Sequence, residues 1–336
     1  MAGKKIDGHR HILCQEALNV AKKLDSERSG MMYSPDIDPR TDEINGEKNV
    51  VWARKLTGFD ENIADLEMAG MDMAILQPTQ TMFFYWAEPS AAADLSRMIN
   101  EYTARGVRRH PEHFLGLATL PLQDVEAAVK ELEYAVQELG LSGVVTGSNV
   151  NGHGFDEEQF QPFFEKVEAL DVPIVVHPNQ PKGIERLGRY YLVNFLGLPL
   201  ESSIFAARLV FGGVLDRFPN LKICLSHAGG ALPFLLGRLE HGQSVRPESQ
   251  ENCKYPFSHY LKNFYVDTIT FRPDTLRFVL EIMTEDHVVM GTDYPYDMAD
   301  TDPVGSVKAA VTDENLREKI FGENLRVLMG MTGIDY

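Results

Sequence analysis

Eight short apolar runs recur along the 336-residue chain, and helix-patterned stretches separate them. The runs span residues 5–11, 71–78, 113–121, 141–150, 172–178, 221–229, 263–270 and 287–295. Several, such as VPIVVHP, LKICLSH and HVVMGTD, are almost continuous in aliphatic residues. Runs of this kind suit strands buried on both faces, as in a parallel sheet covered by crossover helices. The stretches 60–70, 91–109, 123–140, 156–170, 200–218, 231–239, 273–283 and 312–329 carry apolar residues at helical spacing. Those at 60–70 and 123–140 end in glycine, a helix-stop signal. Eight strand–helix units predict an α/β fold of the (β/α)8 TIM-barrel type. An open doubly wound sheet is the alternative, but no glycine-rich dinucleotide fingerprint follows the first run. Since α/β barrels carry about 200–300 residues on one core, residues 1–336 are expected to form a single domain.

Two polar stretches break the rhythm. Residues 26–50 are rich in Asp, Pro, Gly and Asn, and they read as an insertion over the barrel mouth. Residues 242–258 form a second polar loop.

With 32 basic and 49 acidic residues, the chain carries a net charge of −17. That field argues against binding nucleic acid or an anionic membrane, and it requires local cations for any anionic substrate. Three scattered cysteines, Cys14, Cys224 and Cys253, suit neither a disulfide framework nor a Cys zinc cluster, and they fit a reduced cytoplasmic setting. No signal peptide and no run of ~18 apolar residues for a membrane span is read from the sequence.

The polar residues within the runs carry the chemistry. His9 and His11 close the first run, His177 the fifth, His227 the sixth and Asp293 the eighth. All five fall at C-terminal strand ends, where barrel enzymes build their sites. One HxH pair is expected about 0.3 times by chance in a chain with this histidine content, so it says little alone. Alternation along a strand, however, puts Asp7, His9 and His11 on one face, and two such imidazoles can converge on one metal. A solitary histidine or a TDYP helix entry has bland explanations; five coincidences at the same barrel end do not.

These residues resemble the amidohydrolase superfamily, most closely the branch of aminocarboxymuconate-semialdehyde decarboxylase. The resemblance is carried by IDGHRHI, MFFYWAEPSAAADLSRMINEY, LATLPLQD, PIVVHP, LKICLSHAGGALPFLLGR and EDHVVMGTDYPY. It implies a distorted barrel of the metal-dependent hydrolase type with a small insertion after strand 1. It also implies one divalent ion, zinc with manganese as the alternative, held by His9, His11, His177 and Asp293. His227 matches the histidine that activates the metal's water. Arg238, in LLGR, matches an arginine lent to the neighbouring active site of a homodimer to hold a substrate carboxylate. A second family arginine has no aligned match, and Arg54 is the candidate after a shift of several residues. Binuclear members place a bridging Lys or Glu at the end of the fourth strand; TGSNVNG has neither, so one metal is expected.

The function so implied is non-oxidative decarboxylation of an unsaturated or aromatic carboxylic acid. His227 handles the proton and Asp293 assists the collapse to CO2. Phe83, Phe84, Tyr85 and Trp86 after the second strand are candidates to line the pocket, with loop packing as the bland alternative. Tyr190 and Tyr191 stand where the family has an aromatic residue after the His-Pro strand, and Tyr191 is taken as a substrate contact. Asp7 and Asp267 are candidate supports of the ligands. The alternative function is hydrolysis of a carbon–carbon, lactone or amide bond by the same centre. A non-catalytic binding barrel would require all five site residues to be vestigial.

Overall fold

The computed structural model describes residues 3–30, 38–181 and 183–331. Every predicted run contributes one strand. In chain order these are β1 Ile6–Ile12, β2 Met73–Pro78, β3 Phe114–Gly116, β4 Val144–Thr146, β5 Ile174–Val176, β6 Ile223–Leu225, β7 Phe264–Asp267 and β8 Val288–Val289. All neighbouring strands are parallel. They form two sheets, β1-β2-β3 and β4-β5-β6-β7-β8. Isolated parallel bridges span both gaps, Ala118 to Val144 and Arg10 to Tyr294. Across the second gap, Gly8 N donates to Met290 O (2.8 Å), His11 N to Tyr294 O (3.0 Å) and Asp293 N to His9 O (2.9 Å). Short bridges thus complete the ring in strand order, giving a distorted (β/α)8 barrel.

The strands are shorter than the runs that encode them. The final residues of several runs leave the ladder and turn inward, as at His227 (φ 58°) and Asp293 (φ 63°). In β1 the register slips by one residue between Asp7 and Arg10 against β2. That bulge re-aims the strand where the two histidines sit.

The helices are α1 Gln15–Leu24, α2 Pro39–Thr57, α3 Phe59–Met68, α4 Pro89–Arg109, α5 Val125–Gln137, α6 Gln161–Leu170, α7 Leu198–Phe211, α8 Val214–Arg217, α9 Leu232–Val245, α10 Pro273–Met283, α11 Pro303–Ala310, α12 Glu314–Glu318 and α13 Asn324–Leu328, and all but α1, α2 and α11 overlap the predicted stretches. A π-helical turn, Val193–Gly197, runs directly into α7. The combined run Val193–Phe211 has the length and mean hydropathy of a membrane span, but Glu201 and Arg208 interrupt it and 56% of it is buried inside the protein. Its inner face is core, with Phe205, Ala206, Leu209 and Val210 buried.

The stretch 26–50 also departs from expectation, because much of it is helical. Asp38 caps α2 by accepting the Arg40 N–H (3.1 Å), and Pro39 occupies the first turn. Polar composition masked this start signal. Buried Trp52 and Leu56 fasten α2 to the barrel, and Leu13 N donates to Leu56 O (2.9 Å). Residues 31–37 of that stretch lie outside the described residues. The second polar stretch, 242–258, folds around Gln243. Its amide donates to Tyr255 O (2.9 Å) and accepts from Phe257 N (2.9 Å).

A buried ion pair sits at the β1–β8 closure. Asp7 and Arg10 meet at 3.2 Å with 0–1% exposure of either side chain. Arg10 also donates to Asn62 Oδ1 (2.5 Å) and Asn62 O (2.9 Å), and it stacks over the Tyr294 ring at 3.6 Å. Replacing Arg10 by Met strips Asp7 of its cation in the interior. A loss of about 3–5 kcal/mol is expected, read as a lowered midpoint in urea unfolding.

Candidate metal centre and proton-transfer site

The barrel ring brings His9, His11, His177 and Asp293 to its C-terminal end. All four are buried, and one ligand atom from each lies within 4.8 Å of every other. His9 Nε2 and His11 Nε2 are 3.2 Å apart, and His11 Nε2 is 3.0 Å from Asp293 Oδ1. Nitrogen donors about 2.0–2.1 Å from a tetrahedral ion stand roughly 3.3 Å apart, so this spacing fits one ion. Two of the tautomers are fixed from behind. His9 Nδ1 donates to Asp267 Oδ2 (2.8 Å), and His177 Nδ1 donates to Pro178 O (3.1 Å). Each bond leaves Nε2 with its lone pair free for a cation.

The electrostatics agree. Burial and neighbouring imidazoles push His177 well below its ordinary value, and burial lowers His11. Burial opposes charge on His9 too, but the Asp267 hydrogen bond and the Asp293 carboxylate outweigh it and raise its pKa. Burial would raise Asp293, yet the His11 and His227 contacts hold it far below the usual carboxylate range. His11 and His177 are therefore disposed to be neutral imidazoles beside an ionised Asp293, while the carboxylates around His9 favour positive charge there.

His227 faces the same carboxylate, with Nε2 3.7 Å from Asp293 Oδ2. Its ring centroid is 5.1 Å from that of His177 and 5.4 Å from that of His9. Asp267, an expected support, sits behind both His9 and His227. Its carboxylate accepts His9 Nδ1–H, His227 N–H (2.8 Å), Ala228 N–H (2.7 Å) and Ile269 N–H (3.1 Å). Asp7, the other expected support, accepts His9 N–H (3.1 Å), Thr292 N–H (3.1 Å) and the Thr292 hydroxyl (2.6 Å).

The aromatic candidates divide. Phe84 and Trp86 pack in a satellite cluster with Leu13, Cys14, Trp52 and Met82, which is the loop-packing outcome. Phe83 stacks on Tyr85 in the main core, and the Tyr85 hydroxyl accepts Gly147 N–H (3.1 Å) at the end of β4. Tyr191 packs edge-on against Phe195. Tyr296, missed in the sequence, lies 5.4 Å from the His11 ring and 5.3 Å from Trp52, with its hydroxyl 2.6 Å from Thr79 Oγ1. Its position three residues after Asp293, in TDYPY, was the available signal.

Arg54 is not brought to the centre; it is exposed on α2 and pairs with Glu61 at 3.2 Å. Two residues earlier on the same helix, Trp52 is buried. Arg238 is exposed on α9 and makes no ion pair among the described residues. Cations missed in the sequence lie elsewhere: a 590 Å³ pocket is lined by Arg40, Arg186, Arg189 and Tyr190, with Asp38 and Glu185. Removing a ligand tests the centre: a His177→Ala chain is expected to lose its bound metal in elemental analysis while keeping its far-ultraviolet dichroism.

The comparisons with known proteins agree with this geometry. A 2-amino-3-carboxymuconate-6-semialdehyde decarboxylase of Dictyostelium discoideum is 36% identical over 276 residues, covering 81% of this chain and 76% of its own. The crystal structure of 5-carboxyvanillate decarboxylase from Sphingomonas paucimobilis superposes with a TM-score of 0.86 at 27% identity, over 97% of this chain and 99% of that one. A dihydroxybenzoic acid decarboxylase from Polaromonas sp. JS666, with bound manganese and the inhibitor 2-nitroresorcinol, superposes at 0.83 with 26% identity over 98% of each chain. The amidohydrolase family model matches residues 6–328, and with the barrel and its histidine–aspartate centre this places the chain in the amidohydrolase family.

Proposed function

We propose that the chain is a metal-dependent decarboxylase that releases CO2, without an oxidant, from an aromatic or unsaturated carboxylic acid. The carrying observation is the convergence of His9, His11, His177 and Asp293 beside His227. A divalent ion held by those four residues supplies a fixed positive charge against which a bound acid can be polarised. Three imidazoles and one carboxylate suit zinc; the manganese of the Polaromonas relative makes manganese the competing ion. The decarboxylase relatives favour this reading over hydrolysis.

The chain's residues then have defined tasks. Decarboxylation replaces a carbon–carbon bond by a carbon–hydrogen bond, so one proton must reach the carbon that bears the carboxylate. His227 Nε2 is the group placed to hold and deliver it, 3.7 Å from Asp293. When the bond breaks, the electron pair is left on the substrate carbon and is captured by that proton as CO2 departs. His227→Asn is expected to retain metal and to lose about 10²–10⁴ in kcat. The assay is CO2 release from a panel of dihydroxybenzoates and muconate-type acids; a hydrolysed product in place of CO2 would sink the reading.

The substrate's carboxylate needs a cation in a chain of net charge −17. We assign this role to Arg238 of a second copy in a homodimer. Its exposure, with no ion pair among the described residues, supports the assignment, as does the apolar surface beside it. Leu196, Leu200 and Ile204 repeat at every fourth residue along the π-turn and α7, and all are exposed, as is Phe234 on α9. The cytoplasmic placement is supported by Cys14, Cys224 and Cys253, which are free and buried. Mixing inactive Arg238→Gln and His177→Ala chains tests the dimer. Random re-association is expected to restore about a quarter of wild-type activity, because one site per mixed dimer is then complete. Absence of any recovery would place Arg238 outside the partner's site.

A further inference from the structure

We propose that Asp267 couples occupancy of the metal site to the backbone of the loop that carries His227. The inference rests on the metal centre proposed above and is independent of which reaction occurs there.

Asp267 ends β7 and is 2% exposed. Its Oδ2 receives both His9 Nδ1–H and His227 N–H, each at 2.8 Å. Its Oδ1 receives Ala228 N–H at 2.7 Å and Ile269 N–H at 3.1 Å. One carboxylate therefore joins a metal ligand to two consecutive residues of the β6 loop. Those residues hold left-handed backbone, φ 58° at His227 and 54° at Ala228. Non-glycine residues persist there only when their surroundings over-determine them. Two successive N–H groups converging on an anion form that kind of constraint.

The His227 ring has only a long tie of its own, Nε2 to Asp293 Oδ2 at 3.7 Å. Its Nδ1 is buried without a hydrogen-bond partner among the described residues. The loop has other ties, Gly230 N to His227 O (2.8 Å) and Ala231 N to Ser203 Oγ (2.8 Å), but neither engages the His227 or Ala228 amides. The orientation of the ring is thus inherited from its backbone, and the backbone from Asp267. A cation on His9 Nε2 fixes the imidazole plane and strengthens Nδ1–H as a donor. That pins the carboxylate, and the carboxylate pins the two amides. By linkage, the ordered loop in turn raises affinity for the cation. Asp267 is a positioning residue, acting through His9 and His227.

Hydrogen exchange of the full-length, substrate-free protein tests the coupling. The His227 and Ala228 amides are followed in chelator-treated protein and again with manganese added. The expected result is exchange at least tenfold slower with metal, with no such change at the amides of α5. In Asp267→Asn, manganese is expected to bind about 10–100-fold more weakly by calorimetry, and exchange at 227 and 228 no longer responds to it. Wild-type amides that ignore bound manganese would overturn the coupling, whether or not the variant folds. An Asp267→Asn chain with wild-type metal affinity would overturn it equally. A wild-type chain that binds no manganese or zinc would instead remove the centre itself, and the coupling with it.

Discussion

Closure of the ring between the first and last strands is the constraint on which the centre depends. Asp7 gathers His9 N–H, both donors of Thr292 and the Arg10 guanidinium onto one buried carboxylate. Two metal ligands lie immediately after it, and Asp293 follows Thr292. Burial pushes Asp7 up and Arg10 down in pKa, each towards its neutral form, and their proximity opposes that loss of charge. Such a pair adds little net stability over an apolar equivalent, whereas removing one partner leaves an uncompensated charge in the interior. The pair lies within β1; what ties Asp7 across to the β8 end is Thr292, through its N–H (3.1 Å) and hydroxyl (2.6 Å), one residue before the Asp293 that meets His11 at 3.0 Å.

The site is then held in layers. Imidazole Nε2 atoms face inward, and Nδ1 atoms of His9 and His177 face Asp267 and a backbone carbonyl. Strained backbone at His227 and Asp293 lies at the ends of β6 and β8, where loops of a barrel converge. The scaffold beneath is ordinary aliphatic packing of Val144, Val175, Ile223, Val266 and Val288 with their helices.

The barrel was legible because each strand announces itself as a buried aliphatic run and each helix as a periodic one. The metal ligands were legible because their runs end in His or Asp, and strand ends of a barrel share one rim. Less was legible where composition and local geometry disagree. α2 hides in a polar stretch because its only strong signal is Asp38-Pro39, and its packing rests on Trp52 and Leu56. Arg54 was misplaced because its neighbour Trp52 decides which face of α2 turns inward. Phe84 and Trp86 looked like pocket residues by chain position, but apolar side chains beside a crevice are as readily used to fill it. Three of the four bonds to Asp267 come from residues 39 to 258 positions away, which no local pattern encodes.

The same closure sets a schedule for synthesis. His11 and Asp293 are 282 positions apart, so a growing chain presents the HxH pair long before its aspartate partner exists. Until β5 brings His177 and β8 brings Asp293, the pair is a two-imidazole fragment, and the entropy of closing so long a loop weighs against early assembly. Metal capture is therefore a late event that reports completion of the ring. An ion of the wrong kind met by the emerging chain finds at most three imidazoles and no carboxylate from β8, and selection is deferred to the finished barrel.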